Sequence, residues 1–213
     1  MPRALLFDVD GVLLHSMFHA DPERCRRWDQ HLLEDLGVSP EAFRQFFSND
    51  FGRVIRGQSS LVARLEKFLP SIGYKKSPLD FIAYWFKNDT HLNTQLLDAI
   101  RNLARSTDVV LYLATNQEHL RAFHLWNVLG LSHTFNDMFY AARIGAAKPD
   151  KAYFKAVDVL LGPQIEPLLF FDDSPKNLDA ASAHGWEATQ FNYLNDFTNH
   201  TWVMANTQPN NVN

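Results

Sequence analysis

Arg3-Ala4-Leu5-Leu6-Phe7-Asp8-Val9-Asp10-Gly11 is an apolar run that ends abruptly in two carboxylates and a glycine. An unbroken apolar run of this length reads as a strand buried on both faces, because a strand with one wet face would alternate. Similar runs follow at residues 109–114, 138–142 and 168–171, with a weaker one at 188–191. Between them, apolar residues recur at helical spacing. Leu96, Leu97, Ile100 and Leu103 precede the second run, and Leu120, Phe123, Leu125 and Leu129 follow it. Asp150 is placed to start a helix through Phe154, Val157 and Leu161, and residues 175–184 supply another, stopped by Gly185. Alternating strands and helices imply βαβ units, so the expected fold class is α/β with a doubly wound parallel sheet.

Residues 16–90 break the rhythm and contain no convincing strand. Asp21-Pro22, Ser39-Pro40 and Ser77-Pro78 each put a capping side chain ahead of a proline at the first helical position. Gly37 and Gly73 mark stops, and Leu61, Val62, Leu65, Phe68 and Leu69 form an apolar stripe. The expectation is a bundle of about four helices inserted after the first strand. The core then comprises residues 1–15 and 91–205, with a frayed polar tail at 206–213. Trp28, Trp85 and Trp126 fall at helical spacing and read as packing. The pair Glu118-His119 reads as a solvated helix face.

Composition narrows the function. The 213 residues are 46% hydrophobic, enough for a full core. Lys and Arg number 20 against 24 Asp and Glu, which excludes a nucleic-acid binder that relies on a broad basic surface. Cys25 is the single cysteine, so there is no internal disulfide framework and no multi-cysteine zinc site. No run approaches the ~18 apolar residues of a membrane span. The expected setting is the cytoplasm, without membrane or nucleic-acid partners. Oligomeric state leaves no mark in the composition.

Open α/β sheets bind ligands outside the carboxyl ends of their strands. The polar residues there are Asp8 and Asp10 after the first run, Thr115 and Asn116 after the second, Lys148 beyond the third, and Asp172 and Asp173 after the fourth. Converging carboxylates repel one another and need a cation, and hard oxygen donors select Mg²⁺. Lys148 is a point charge suited to phosphate oxygens, with Thr115 and Asn116 as donors beside it. Carboxylates, a metal and anion donors together make the inventory of phosphoryl transfer. An aspartate can itself be the nucleophile, and a second carboxyl two residues on can serve as acid and base.

Four segments resemble the motifs of the haloacid dehalogenase superfamily, in the right order. They are Phe7-Asp8-Val9-Asp10-Gly11-Val12-Leu13, Ala114-Thr115-Asn116, Gly145-Ala146-Ala147-Lys148-Pro149-Asp150 and Phe171-Asp172-Asp173-Ser174-Pro175-Lys176-Asn177. The resemblance implies a Rossmannoid core with a helical cap of the C1 type at residues 16–90. It implies Asp8 as nucleophile and Asp10 as general acid and base. It places Mg²⁺ on the Asp8 carboxylate, the Asp10 backbone carbonyl and Asp172. Thr115 and Asn116 bind the phosphoryl group, and Lys148 neutralises charge. Asp173 is either beside the metal or the partner of Lys148, and Asn177 orients the fourth segment.

Dehalogenases of the superfamily lack an aspartate at the position of Asp10, since a halide needs no proton. The expected activity is therefore a Mg²⁺-dependent phosphatase acting on a small phosphorylated metabolite. A sugar-phosphate mutase, a 2-haloacid dehalogenase and a non-catalytic binding protein are the alternatives. Cap residues Arg53 and Arg56, flanking Gly57 with Gln58, are expected to contact substrate. His15, Ser16 and His19 lie where the chain leaves the core. Related members often carry Ser-x-Glu where this chain has Ala142-Arg143-Ile144. Arg143 either adds charge near the site or pairs with a surface acid.

Overall fold

The computed structural model describes residues 2–17, 25–48 and 51–207. The leading run is β1 (Arg3–Phe7), the central strand of a five-stranded parallel sheet. Its partners are β2 (Val109–Thr115), β3 (Asp137–Tyr140), β4 (Leu169–Asp172) and β5 (Glu187–Gln190), in the order β3-β2-β1-β4-β5. The register pairs Phe7 with Leu113 on one side and Phe171 on the other. Asp8, Thr115 and Asp172 therefore arrive together at the carboxyl end of the sheet.

The helices fall into two sets. In the segment between β1 and β2 lie α1 (Leu32–Leu36), α2 (Pro40–Ser48), α3 (Phe51–Ile55), α4 (Leu61–Phe68) and α5 (Pro78–Asn88). Flanking the sheet are α6 (Thr94–Ser106), α7 (His119–Phe123), α8 (Ala141–Ile144), α9 (Lys151–Leu161), α10 (Pro175–His184), α11 (Leu194–Thr198) and α12 (Thr201–Asn206). Side chains alternate across β1, so its two faces feed two cores. Leu5 and Phe7 pack with Leu96, Ile100 and Leu103 of α6 and with Phe197 and Val203 of the last two helices. Ala4 and Leu6 pack with Tyr153, Phe154 and Val157 of α9 and Leu178 of α10. Burial on both faces accounts for the unbroken apolar run.

The inserted helices enclose a separate apolar cluster of Trp28, Phe43, Phe46, Leu65, Phe81 and Trp85 among others. Phe43 lies at its centre, 4.6 Å from the Phe81 ring and edge-on to Trp28 at 5.6 Å. Pro40 and Pro78 open helices as expected, with the Ser39 and Ser77 hydroxyls accepting from Ala42 N and Leu79 N. Asp21-Pro22 and His19 lie outside the described residues, as does the tail from 208 to 213. Against about four helices expected, five α-helices occur here among the described residues. Two of them, α1 and α3, have only five residues, too few for a 3.6-residue period to register.

The third apolar run also divides differently. β3 stops at Tyr140, and residues 141–144 turn into α8, closed by Gly145 in the left-handed region at φ +79. Both halves of the run are buried, so hydrophobicity carries no boundary between them. No helix among the described residues is long and apolar enough to cross a membrane.

Candidate active site

Each strand end delivers one part of the site. Asp8 follows β1 and is tied to β4 by its backbone N–H, which donates to the Phe171 carbonyl at 2.9 Å. Carboxylate oxygens of Asp8, Asp172 and Asp173 lie within 4.8 Å of one another. Lys148 reaches into this cluster, with Nζ 3.0 Å from Asp8 Oδ1 and 2.5 Å from Asp172 Oδ2. Both Lys148 and Asp172 are buried.

Secondary contacts hold these groups in place. Asn177, in the first turn of α10, donates Nδ2 to both Asp172 oxygens at 3.1 Å. Ser174 N donates to Asp172 Oδ1 at 2.8 Å. Asn116 clamps the Lys148 backbone, donating Nδ2 to its carbonyl and accepting from its N–H, both at 2.9 Å. The Asn116 amide was expected on the phosphoryl group, and here it fixes the residue that carries the positive charge. Gly11 has φ +85, and a Cβ there would lie 2.1 Å from Asp173 Oδ2. Glycine is needed at this turn for both its backbone angle and its missing side chain.

Asp173 makes no ion pair with Lys148; it belongs to the carboxylate cluster. Asp173 is thus placed among the oxygens that could hold a metal, and not as the partner of Lys148. Burial pushes the Asp8 carboxyl well above the usual range; Lys148 opposes this, while Asp172 and Asp173 add to it. Asp173 is raised to about 6 by burial and then by Asp172. Burial favours neutral Lys148, but Asp172 and Asp8 outweigh it and hold the ammonium above its ordinary value. One cation thus faces three hard oxygen donors. The donor set fits a divalent metal such as Mg²⁺.

Asp10 points away from this cluster and is half exposed on its side chain. Gln117 Nε2 donates to its Oδ2 at 2.6 Å, and Arg121 Nη2 lies 3.8 Å from Oδ1. Arg121 is in turn held 3.1 Å from Asp89 Oδ2, at the end of α5. Asp10, Asn116, Gln117 and Arg121 line one side of a cavity of about 500 Å³, with Trp28 and Trp85 of the inserted segment on the other. Buried Thr115 sits at the floor of the site, at the end of β2.

Several expectations land elsewhere. Arg56 Nη2 is 2.8 Å from Asp150, bridging the inserted helices to the start of α9, and Arg53 is exposed. Neither lines the cavity. Beside Arg56, a Cβ on Gly57 would come 2.7 Å from the Ala142 carbonyl, so this glycine marks a close seam rather than a substrate loop. Arg143 pairs with Asp137 at 2.6 Å, the surface-acid reading. Glu118 is not on a solvated face: it is buried, and it caps α7 by accepting from Leu120 N and Arg121 N. Its neighbour His119 is exposed as expected.

Sequence reading missed Gln117, Arg121 and Asp89. Gln117 directly follows the second segment, which was a usable signal. Arg121 and Asp89 meet only through the fold.

A haloacid dehalogenase-like hydrolase family model matches residues 2–185. The chain belongs to the haloacid dehalogenase-like hydrolases. It is 27% identical over 209 residues to a phosphoglycolate phosphatase of Rhodospirillum rubrum, covering 91% of this chain and 80% of the relative. Among solved structures it is similar to a family enzyme of Bacteroides thetaiotaomicron in complex with magnesium and inorganic phosphate. That match has a TM-score of 0.69 and 22% identity, over 89% of this chain and 94% of the other. A family hydrolase of Porphyromonas gingivalis matches at a TM-score of 0.70 and 19% identity, over 96% of each chain. L-2-haloacid dehalogenase of Xanthobacter autotrophicus shares the fold at 0.61 and 15% identity, over 96% of this chain and 81% of that one. This hydrolase thus carries its family's fold, with a parallel sheet flanked by helices.

Proposed function

We propose that this hydrolase is a Mg²⁺-dependent phosphatase that cleaves a small phosphomonoester through an aspartyl-phosphate on Asp8. The observation that carries the reading is the pairing of a buried carboxylate with a buried ammonium, Asp8 and Lys148 at 3.0 Å, beside a second, half-exposed carboxylate that faces a cavity. The curated relative named a phosphatase supports the same reading.

Asp8 attacks phosphorus, and the bond from phosphorus to the ester oxygen breaks. Asp10 gives its proton to the leaving alkoxide, then takes one from the water that attacks phosphorus. That second attack breaks the bond to Asp8 and releases inorganic phosphate. Gln117 and Arg121 fix the Asp10 carboxyl toward the cavity, where the alkoxide leaves. Thr115 donates to the phosphoryl oxygens, and Lys148 offsets their charge and that of Asp8. The carboxylates of Asp8, Asp172 and Asp173, with the Asp10 backbone carbonyl, are the groups that would hold Mg²⁺, which would supply further positive charge to the phosphoryl group when bound.

In this reading residues 16–90 act as a cap that shields the site. A halide leaving group needs no proton, so a carboxyl directed at the cavity speaks for an alkoxide and against dehalogenation. The test is phosphate release from a panel of phosphomonoesters with Mg²⁺. Asp8→Asn is expected to abolish it while the protein stays folded. Full turnover by that variant excludes the reading.

A further inference from the structure

We infer that the cavity over Asp10 receives the leaving group, and that this group carries a planar aromatic or heteroaromatic ring bearing a hydrogen-bond acceptor. The inference rests on the phosphatase reading for its chemistry and on the cavity for its specificity. The wall supplied by the inserted segment is formed by Trp28, Phe43, Phe47, Phe51 and Trp85. Trp28 and Trp85 are stacked at 5.5 Å, and Phe47 stands edge-on to Trp85 at 5.4 Å and to Phe51 at 5.0 Å. Rings held by one another in this way present fixed faces and edges, which suit a planar guest.

About 500 Å³ is ample for a ring system and far more than a two-carbon leaving group fills.

A second observation comes from the opposite wall. Arg121 lines the cavity yet is only 4% exposed, and its Nη1 has no hydrogen-bond partner among the described residues. Its Nη2 is engaged by Asp89, and the guanidinium lies over the Phe86 ring at 5.3 Å. A buried guanidinium N–H left unpaired is costly, and a ligand acceptor would satisfy it. The acceptor is best neutral. Asp10, Asp89 and Glu118 all line the cavity, and the other cavity arginine, Arg44, is held by Asp29 at 3.1 Å. A carboxylate-bearing leaving group would meet this acidic wall, whereas a ring carbonyl or hydroxyl would not.

The experiment compares three primary alkyl esters of matched leaving-group reactivity: ethyl, phenethyl and para-acetylphenethyl phosphate. Phosphate release is measured on the full chain with Mg²⁺. Burying one ring predicts kcat/KM for phenethyl phosphate about tenfold to a hundredfold above ethyl phosphate, and the acetyl acceptor should add up to about tenfold. Arg121→Gln should erase the acetyl-over-phenyl preference. Ser48→Phe, at the exposed end of α2 on the cavity rim, should lower the ring esters and spare ethyl phosphate. Ethyl phosphate turned over as well as the ring esters overturns this inference and leaves the phosphatase reading intact.

Binding of para-acetylphenethyl alcohol, followed by tryptophan fluorescence, is independent of turnover. Saturable quenching that Ser48→Phe weakens supports the cavity assignment even if no ester is hydrolysed. No quenching in the wild type overturns it.

Discussion

Replacing Lys148 with Met removes the ammonium shared by Asp8 and Asp172 while keeping most of the side-chain volume. At an effective dielectric near 20, each charge pair at 2.5–3.0 Å is worth about 5–7 kcal/mol before desolvation is counted. The desolvation that Lys148 itself incurs offsets part of this. Measured losses for breaking a buried pair by removing one partner run at about 3–5 kcal/mol. For a chain of this size that corresponds to a fall in Tm of about 6–20 °C, at about 2–4 °C per kcal/mol. The assay is thermal unfolding at about pH 9, above the value of about 8 to which burial pushes the Asp8 carboxyl and below that of the Lys148 ammonium, in the presence of a chelator so that no metal substitutes for the missing charge. Asp172→Asn provides the internal check. In that background Lys148→Met should cost at least ~2 kcal/mol less, because one of the two stranded carboxylates is gone. A Tm within about 2 °C of wild type for the single variant, or full additivity in the double, would refute the buried charge triangle.

Other outcomes follow from the same geometry. Gly11→Ala should lose most activity and at least ~2 kcal/mol of stability, since its Cβ meets Asp173 at 2.1 Å. Gly37→Ala, also at positive φ but with open space around it, should cost only about 1 kcal/mol by denaturant unfolding and spare activity. Arg56→Ala should leave kcat/KM for a small ester within about twofold and stability within ~1 kcal/mol, as for a solvent-screened ion pair. Chelation should silence phosphate release and added Mg²⁺ should restore it; activity that persists after exhaustive chelation contradicts the assignment of the carboxylate cluster.

The sheet was legible because its central strands are buried on both faces, which writes an unbroken apolar run into the chain. The strand-end residues were legible because an α/β sheet puts ligands there, and the four ordered segments resemble one family. What stayed hidden was relational. Asn116 looked like a substrate donor, but its amide closes on the Lys148 backbone across 32 positions of chain. Arg56 beside Gly57 looked like a substrate loop, although Gly57 is demanded by close packing on Ala142. Trp28 and Trp85 fall at spacings that suit packing; they do pack, and they also wall the cavity. Arg121 and Asp89 carry no local pattern, since the second sits in the inserted helices and the first in the core.

Covalent chemistry on Asp8 would leave a phosphoryl group that can be trapped on the enzyme. Asp10→Asn should slow hydrolysis of an aspartyl-phosphate, so this variant is mixed with an aryl phosphate, whose leaving group needs no acid, and quenched in acid. Mass spectrometry of the peptide containing Asp8 is predicted to show the added mass of one phosphoryl group, absent when Asp8→Asn is introduced as well. Phosphate released by Asp10→Asn with no such adduct at any time point, or an adduct that survives Asp8→Asn, would contradict the account.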